Sequence, residues 1–299
     1  MRNALTVRSA NVLYLVTVLL VITIGSVIQL ADLSWGLIGT ELFLLALPTV
    51  LFLRFRKVPL RQGLRFTPIK PLSVLLCLLM GASIWLVGGY LDLLLAEITG
   101  IPPIDIPPEM LPDTMSEGVL LVIALALAAP IGEELLFRGA IQGAYETRFR
   151  SASAITIVAL MFAIYHFRLA GTLALLPVAF MVGYVVWRTQ SIWAGMAVHF
   201  ANNLASGLFT YAALFTPDME LPFPSLLWAA IGAAVAAVSL YFFVRENAAP
   251  VELIPPVTEE AVQARSSWLA TYWPVLVVFV LYLAIGALTL VASTLTLPA

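Results

Sequence analysis

An all-α, polytopic transmembrane bundle of about eight to nine helices is predicted by three observations. Charged residues make up 11% of the 299 positions and apolar ones 62%, with a mean hydropathy of +1.01, where an ordinary soluble domain carries about 25% charge. Apolar runs recur that are long enough to cross a hydrocarbon layer of roughly 30 Å, which takes about 20 helical residues. The cations fall between those runs in an alternating pattern. A chain of this composition has lipid as its solvent.

Reading apolar runs against their breakers places spans at 11–31, 36–53, 72–97, 118–144, 152–167, 171–188, 190–214, 225–244 and 271–296. The first is longer than a signal-peptide core and no small-x-small cleavage site follows it, so it is expected to stay as an anchor. The second carries Glu41 and Pro48, and no role is assigned to Glu41. The third holds Asp92 and Glu97 near its outer end, within reach of water, and these too receive no role. Only Arg168–Gly171 separates the fifth span from the sixth. The last span follows a polar stretch with Pro250, Pro255, Pro256, Glu259 and Glu260 and is expected to be peripheral.

Orientation follows from the cations, which are retained on the cytoplasmic side of short loops. With the N-terminus inside, that side collects Arg2, Arg8, Arg54, Arg56, Lys57, Arg61, Arg65, Lys70, Arg148, Arg150, Arg188, Arg245 and Arg265, all but two of the 15 Lys and Arg. The opposite side receives Asp105, Glu109, Asp113, Glu117, Asp218 and Glu220. This pattern suits the plasma membrane of a prokaryote. The segment 54–71 mixes cations with Val58, Leu60, Leu64, Phe66 and Ile69, which fits either an element lying on an anionic leaflet or a plain cationic loop. Three regions result: N-terminal helices with a basic loop (1–112), a core (113–215), and C-terminal helices with a linker (216–299).

Several function classes drop out. A net charge of -2 without a basic stripe gives nucleic acid no surface. Cys77, the single cysteine, supports neither a disulfide framework nor a thiolate metal site. No glycine-rich phosphate loop, dinucleotide fingerprint or fixed-period repeat occurs.

Ionisable groups within spans cost at least about 2.5–3.5 kcal/mol each at mid-helix, so they are functional candidates by default. They concentrate in the fourth span, where Glu133, Glu134 and Arg138 lie within six residues. Glu134 and Arg138, four apart with the acid first, have the better order for a helical ion pair. Glu133 points about 100° away and is left free. A carboxylate held away from bulk water is suited to take a proton from water, so Glu133 is the candidate general base. Both histidines of the chain, His166 and His199, also fall in spans. His199 and Asn203 share one helical face, and two such donors could meet one developing negative charge.

Glu133-Glu134-x-x-x-Arg138, Phe162-x-x-x-His166 and His199-x-x-x-Asn203 follow one another within about 70 residues. This ordered set resembles the motifs of the CAAX-protease and bacteriocin-processing family of intramembrane glutamic endopeptidases, which includes the type II CAAX prenyl proteases. The resemblance covers roughly 113–215. It implies that Glu133 and His166 activate the attacking water and that His199 and Asn203 stabilise the oxyanion, with Glu134, Arg138 and Phe162 in support. It further implies a substrate that is a membrane-associated peptide or protein, prenylated or not, and no cofactor.

Alternatives stay open. Glu133, His166 and His199 could instead hold zinc, although no His-Glu-x-x-His run supports this. A scaffold or immunity protein would keep the fold without the chemistry, and a proton-coupled transporter would use the same charges as a relay. Depth poses a problem: counting 1.5 Å per residue from the inner loops puts His199 about 13 Å deep but His166 about 21 Å. The helix after Arg150 is therefore expected to begin below the membrane surface.

Overall fold

The computed structural model describes residues 5–101, 108–169, 171–216, 225–250 and 268–296, and every regular element among them is helical. Nine helices follow in order among these residues: α1 (Val7–Ala31), α2 (Leu33–Phe55), α3 (Pro71–Thr99), α4 (Met115–Tyr145), α5 (Ser151–Tyr165), α6 (Thr172–Thr189), α7 (Ile192–Phe215), α8 (Leu226–Glu246) and α9 (Trp268–Thr296). Seven are long and apolar enough to cross a membrane. The other two are α5, whose 15 residues span about 22 Å, and α7, whose apolar run is broken by His199, Asn202 and Asn203.

Local sequence sets the helix ends. Thr114 and Glu117 close a reciprocal capping box at the start of α4, with Glu117 N–H donating to Thr114 Oγ1 and Thr114 N–H to Glu117 Oε2, each at 3.3 Å. Pro71 opens α3, where its missing N–H costs nothing, and Gly100 closes it at φ 70°. Phe167, a non-glycine residue at φ 51°, turns the chain just past α5. The outer faces carry large apolar side chains such as Leu51, Phe55, Leu75, Val238 and Val280, as a lipid-facing surface requires.

Helix α4 is central: 61% of its most apolar window is buried, against 22% for α9. It is not uniformly α-helical, since Ala124–Ala128 and Leu135–Ile141 adopt wider π-helical turns on either side of Ala129–Glu134. Such turns re-aim side chains and are frequent at functional sites. Helix α3 packs along α7 and α8.

One end of the bundle gathers cations. Arg65 bonds Glu146 at 2.8 Å just past α4, Lys70 pairs with Glu246 at 2.7 Å, and Arg188 donates to the carbonyls of Val244 and Asn247. Glu109, Asp113 and Glu117 lie at the other end of α4. Arg2, Asp105, Asp218, Glu220, Pro255, Pro256, Glu259, Glu260 and Arg265 lie outside the described residues.

The segment 54–71 holds a short helix, Leu60–Gly63, and part of it packs on the protein: Val58 and Leu64 are buried in the core, Phe66 packs on Trp193, and Arg65 is buried against Glu146. Helix α9 is the least buried of the seven spans, at 22% of its most apolar window, as expected of a peripheral helix, yet polar contacts dock it on the bundle. Asn11 on α1 donates to the Thr271 carbonyl at 2.9 Å and accepts from Tyr145 Oη at 2.8 Å, while Tyr282 shares a 2.7 Å hydrogen bond with Thr172 on α6. These polar contacts tie α9 to α1, α4 and α6.

Candidate active site

Glu133 lies in the α-helical stretch between the two π turns of α4 and is 5% exposed. His166, the residue that ends α5, and His199 on α7 both point their Nε2 atoms at it. His166 Nε2 stands 3.8 Å from Glu133 Oε1 and His199 Nε2 stands 3.6 Å from Oε2. Because α5 presents His166 about eight residues deeper than α7 presents His199, the two helices are offset by about 12 Å along their length. An offset of this kind is what the unequal depths counted from the sequence require.

The far side of each imidazole is already engaged. His166 Nδ1 lies 2.9 Å from the Phe162 carbonyl, and an N–H is the only group that can satisfy that acceptor. The tautomer with hydrogen on Nδ1 leaves a lone pair at Nε2, aimed into the site. His199 Nδ1 lies 2.9 Å from Glu134 Oε1 and by the same reasoning donates to it. Glu134 Oε1 also accepts from Arg138 NH1 at 2.9 Å, whose NH2 reaches the Ala179 carbonyl on α6 at 3.1 Å. Arg138 is 1% exposed and its guanidinium lies 4.5 Å over the Phe162 ring. Phe162 thus supports Arg138 with its face and His166 with its carbonyl.

The α4 pair of Glu134 and Arg138 therefore extends to α7, a link that the sequence does not show. Gly195 permits it, because a Cβ there would stand 2.9 Å from Glu134 Oε2 and closer still to Val186. Asn203, one turn beyond His199, donates from Nδ2 to the Leu125 carbonyl at 2.9 Å, in the first π turn of α4. Its Oδ1 accepts from Asn202 Nδ2 at 3.1 Å, which fixes which edge of the amide is which. One N–H of Asn203 remains uncommitted.

These side chains line one cavity of about 500 Å³, a size that takes a small ligand or a few residues of peptide. Glu133, His166, His199, Asn202, Asn203 and Ser206 belong to its polar part, with Ser26, Gln29 and Thr40 opposite, and Val21, Ile22, Leu37, Phe167, Leu175, Val178 and Ile285 are among its apolar walls. Glu134 and Arg138 stand behind that lining. Sequence reasoning passed over Glu41, which is 4% exposed and lines the same cavity from a π turn of α2. The signal was available, since any carboxylate flanked by apolar residues on both sides is suspect in a membrane. Asp92 is not left to water alone: Arg168 NH2 bonds both its oxygens at 3.0 and 2.8 Å. Among the described residues no set of three His, Cys, Asp or Glu side chains is arranged to hold a metal ion.

The chemistry available is that of a carboxylate beside two imidazoles, with an amide donor nearby, in a half-apolar pocket inside a bundle. Residues 115–205 match the family model described as type II CAAX prenyl endopeptidase Rce1-like, a stretch that runs from the start of α4 past Asn203. No curated protein and no solved structure matches the chain.

Proposed function

We propose, from the match of residues 115–205 to the type II CAAX prenyl endopeptidase Rce1-like family model, that the chain is an intramembrane endopeptidase of the glutamic type. The observation that carries this reading is the convergence of His166 Nε2 and His199 Nε2 on the Glu133 carboxylate within 4 Å, in the cavity that Asn203 also lines. Glu133 takes a proton from water as the water oxygen bonds to the scissile carbonyl carbon, and the His166 lone pair holds that water in line. The carbonyl oxygen gains negative charge as the tetrahedral centre forms. His199, flanked by Glu133 and Glu134, is placed to act as an imidazolium whose Nε2–H donates to that oxygen, and Asn203 supplies the second donor.

Charge counting supports the arrangement. Glu134 and Arg138 cancel, so Glu133 and a protonated His199 make the buried cluster neutral. The reaction as written needs no metal, so chelators are expected to leave it unchanged. Tightly bound zinc at one ion per chain, with loss of cleavage on its removal, would overturn that part. The substrate is a membrane-associated peptide, and the apolar walls suit a lipid-bearing one such as a prenylated CAAX peptide. By the positive-inside rule we assign the cation-rich end of the bundle, and with it the N-terminus, to the cytoplasm, an orientation that suits the plasma membrane of a prokaryote.

The test is cleavage by purified protein of a farnesylated CAAX peptide, its unfarnesylated twin and a panel of membrane peptides, with His166→Ala alongside. Cleavage by the wild type that His166→Ala abolishes supports the reading. No cleavage of any peptide, with the variant indistinguishable from wild type in cells, would point to a non-catalytic scaffold.

A further inference from the structure

Glu41 is the buried carboxylate that the reaction above leaves unused. It is 4% exposed, lines the cavity with Glu133, His166, His199 and Asn203, and its Oε2 has no hydrogen-bond partner. Among the described residues no cation pairs with it. Its neighbour on α4 is Gly132, next to Glu133 itself. A Cβ at that position would stand 2.6 Å from the Glu41 carbonyl oxygen and would collide with the Glu41 carboxylate. The missing side chain lets α2 close on α4 at the level of Glu133. A leucine would satisfy the packing of this π turn without placing an unpartnered carboxyl inside a membrane protein, so the acid calls for a chemical role.

Resting on the endopeptidase reading, we propose that Glu41 is the general acid that protonates the leaving amine. Peptide hydrolysis needs two proton movements at opposite ends of the tetrahedral centre. Glu133 gains a proton as water adds to the carbonyl carbon. Glu41 gives its proton to the amide nitrogen as the C–N bond breaks and the electron pair goes to nitrogen, releasing an amine and an acid. The proton held on Glu133 then returns to Glu41 through cavity water, so both groups end as they began. Two carboxyls in one pocket, one charged and one neutral, keep the buried charge at zero together with His199. The titratable groups facing Glu41 are Glu133 from α4, Tyr165 and His166 from α5, and His199 from α7.

The experiment is the pH dependence of peptide cleavage by the full-length protein in micelles, for wild type, Glu41→Gln, Glu41→Asp and Glu133→Gln. The wild type is expected to give a bell, because the reaction needs one carboxyl of the cavity charged and the other carrying a proton. Glu41→Gln should lower kcat by about 10²-fold or more, the usual range for a general acid, with KM within a few-fold and no falling limb. Glu41→Asp should keep both limbs at reduced height. A Glu41→Gln variant with kcat near wild type and its falling limb intact would overturn the proposal. So would a wild-type profile that stays flat on the alkaline side, a result that needs no variant to fold. Cleavage by wild type but not by Glu133→Gln preserves the glutamate-base reading whatever Glu41 does, whereas cleavage by Glu133→Gln near the wild-type rate removes Glu133 as the base and with it the proton cycle assigned to Glu41.

Discussion

Replacing Arg138 by Met removes the one guanidinium on which three helices meet. In the native protein Arg138 is 1% exposed, bonds Glu134 at 2.9 Å and the Ala179 carbonyl at 3.1 Å, and lies over Phe162 at 4.5 Å. Methionine matches much of its volume, so the loss is mainly electrostatic: Glu134, fully buried, keeps only His199 as a partner. Stranding one member of a buried ion pair costs about 3–5 kcal/mol. The cation–π contact, worth about 2 kcal/mol when desolvated, belongs to the same removal and is not added to it. Because a fully apolar replacement of a buried pair is often neutral, Glu134→Leu combined with Arg138→Met should recover much of the loss. Cys77 is the only cysteine and is fully buried. Unfolding in micelles can therefore be followed by its labelling with a thiol-reactive dye. A single variant within 1 kcal/mol of wild type, or a double variant that is simply additive, would refute the reasoning.

Three further outcomes follow from the same structure. Gly132→Ala drives a methyl into α2 at Glu41 and should cost about 1–3 kcal/mol by overpacking, together with a loss of cleavage; dye labelling of Cys77 and peptide hydrolysis read the two effects separately. Asn11→Ala leaves the buried Tyr145 Oη without its partner and removes the bond to the Thr271 carbonyl, and should destabilise by about 1–3 kcal/mol; a variant as stable as wild type would show that α9 is docked by other means. Asp92→Asn breaks a pair with Arg168 that is partly exposed, 18% and 28% for the two side chains. It should change stability by less than about 1 kcal/mol, measured in the same labelling assay.

The helical bundle was legible because lipid forces every span to be a long apolar run, and α1, α3, α4 and α8 lie close to the runs read from composition. Glu134 and Arg138 were legible as a pair since both belong to one helix and a four-residue spacing fixes their contact. The bond from Glu134 to His199 was not, because it depends on how far α7 slides along α4, and no sequence period encodes that offset. Glu41 was passed over for a different reason: beside Pro48 it read as a mark of an uncertain span, whereas the π turn at Thr40–Ala46 carries it into the cavity. Helix α9 was legible as a peripheral helix from the long polar linker before it, but the Asn11 contact that ties it down was not, since it joins residues 260 positions apart.

Glu133, as the base that activates water, is the group on which cleavage depends most directly. Its test is cleavage by Glu133→Gln, an isosteric change that keeps the pocket but cannot accept a proton, in preparations whose Cys77 remains protected. Loss of turnover by about 10²–10⁴-fold with KM little changed is the predicted result. Turnover within a few-fold of wild type would contradict the account and would require another group to activate the water.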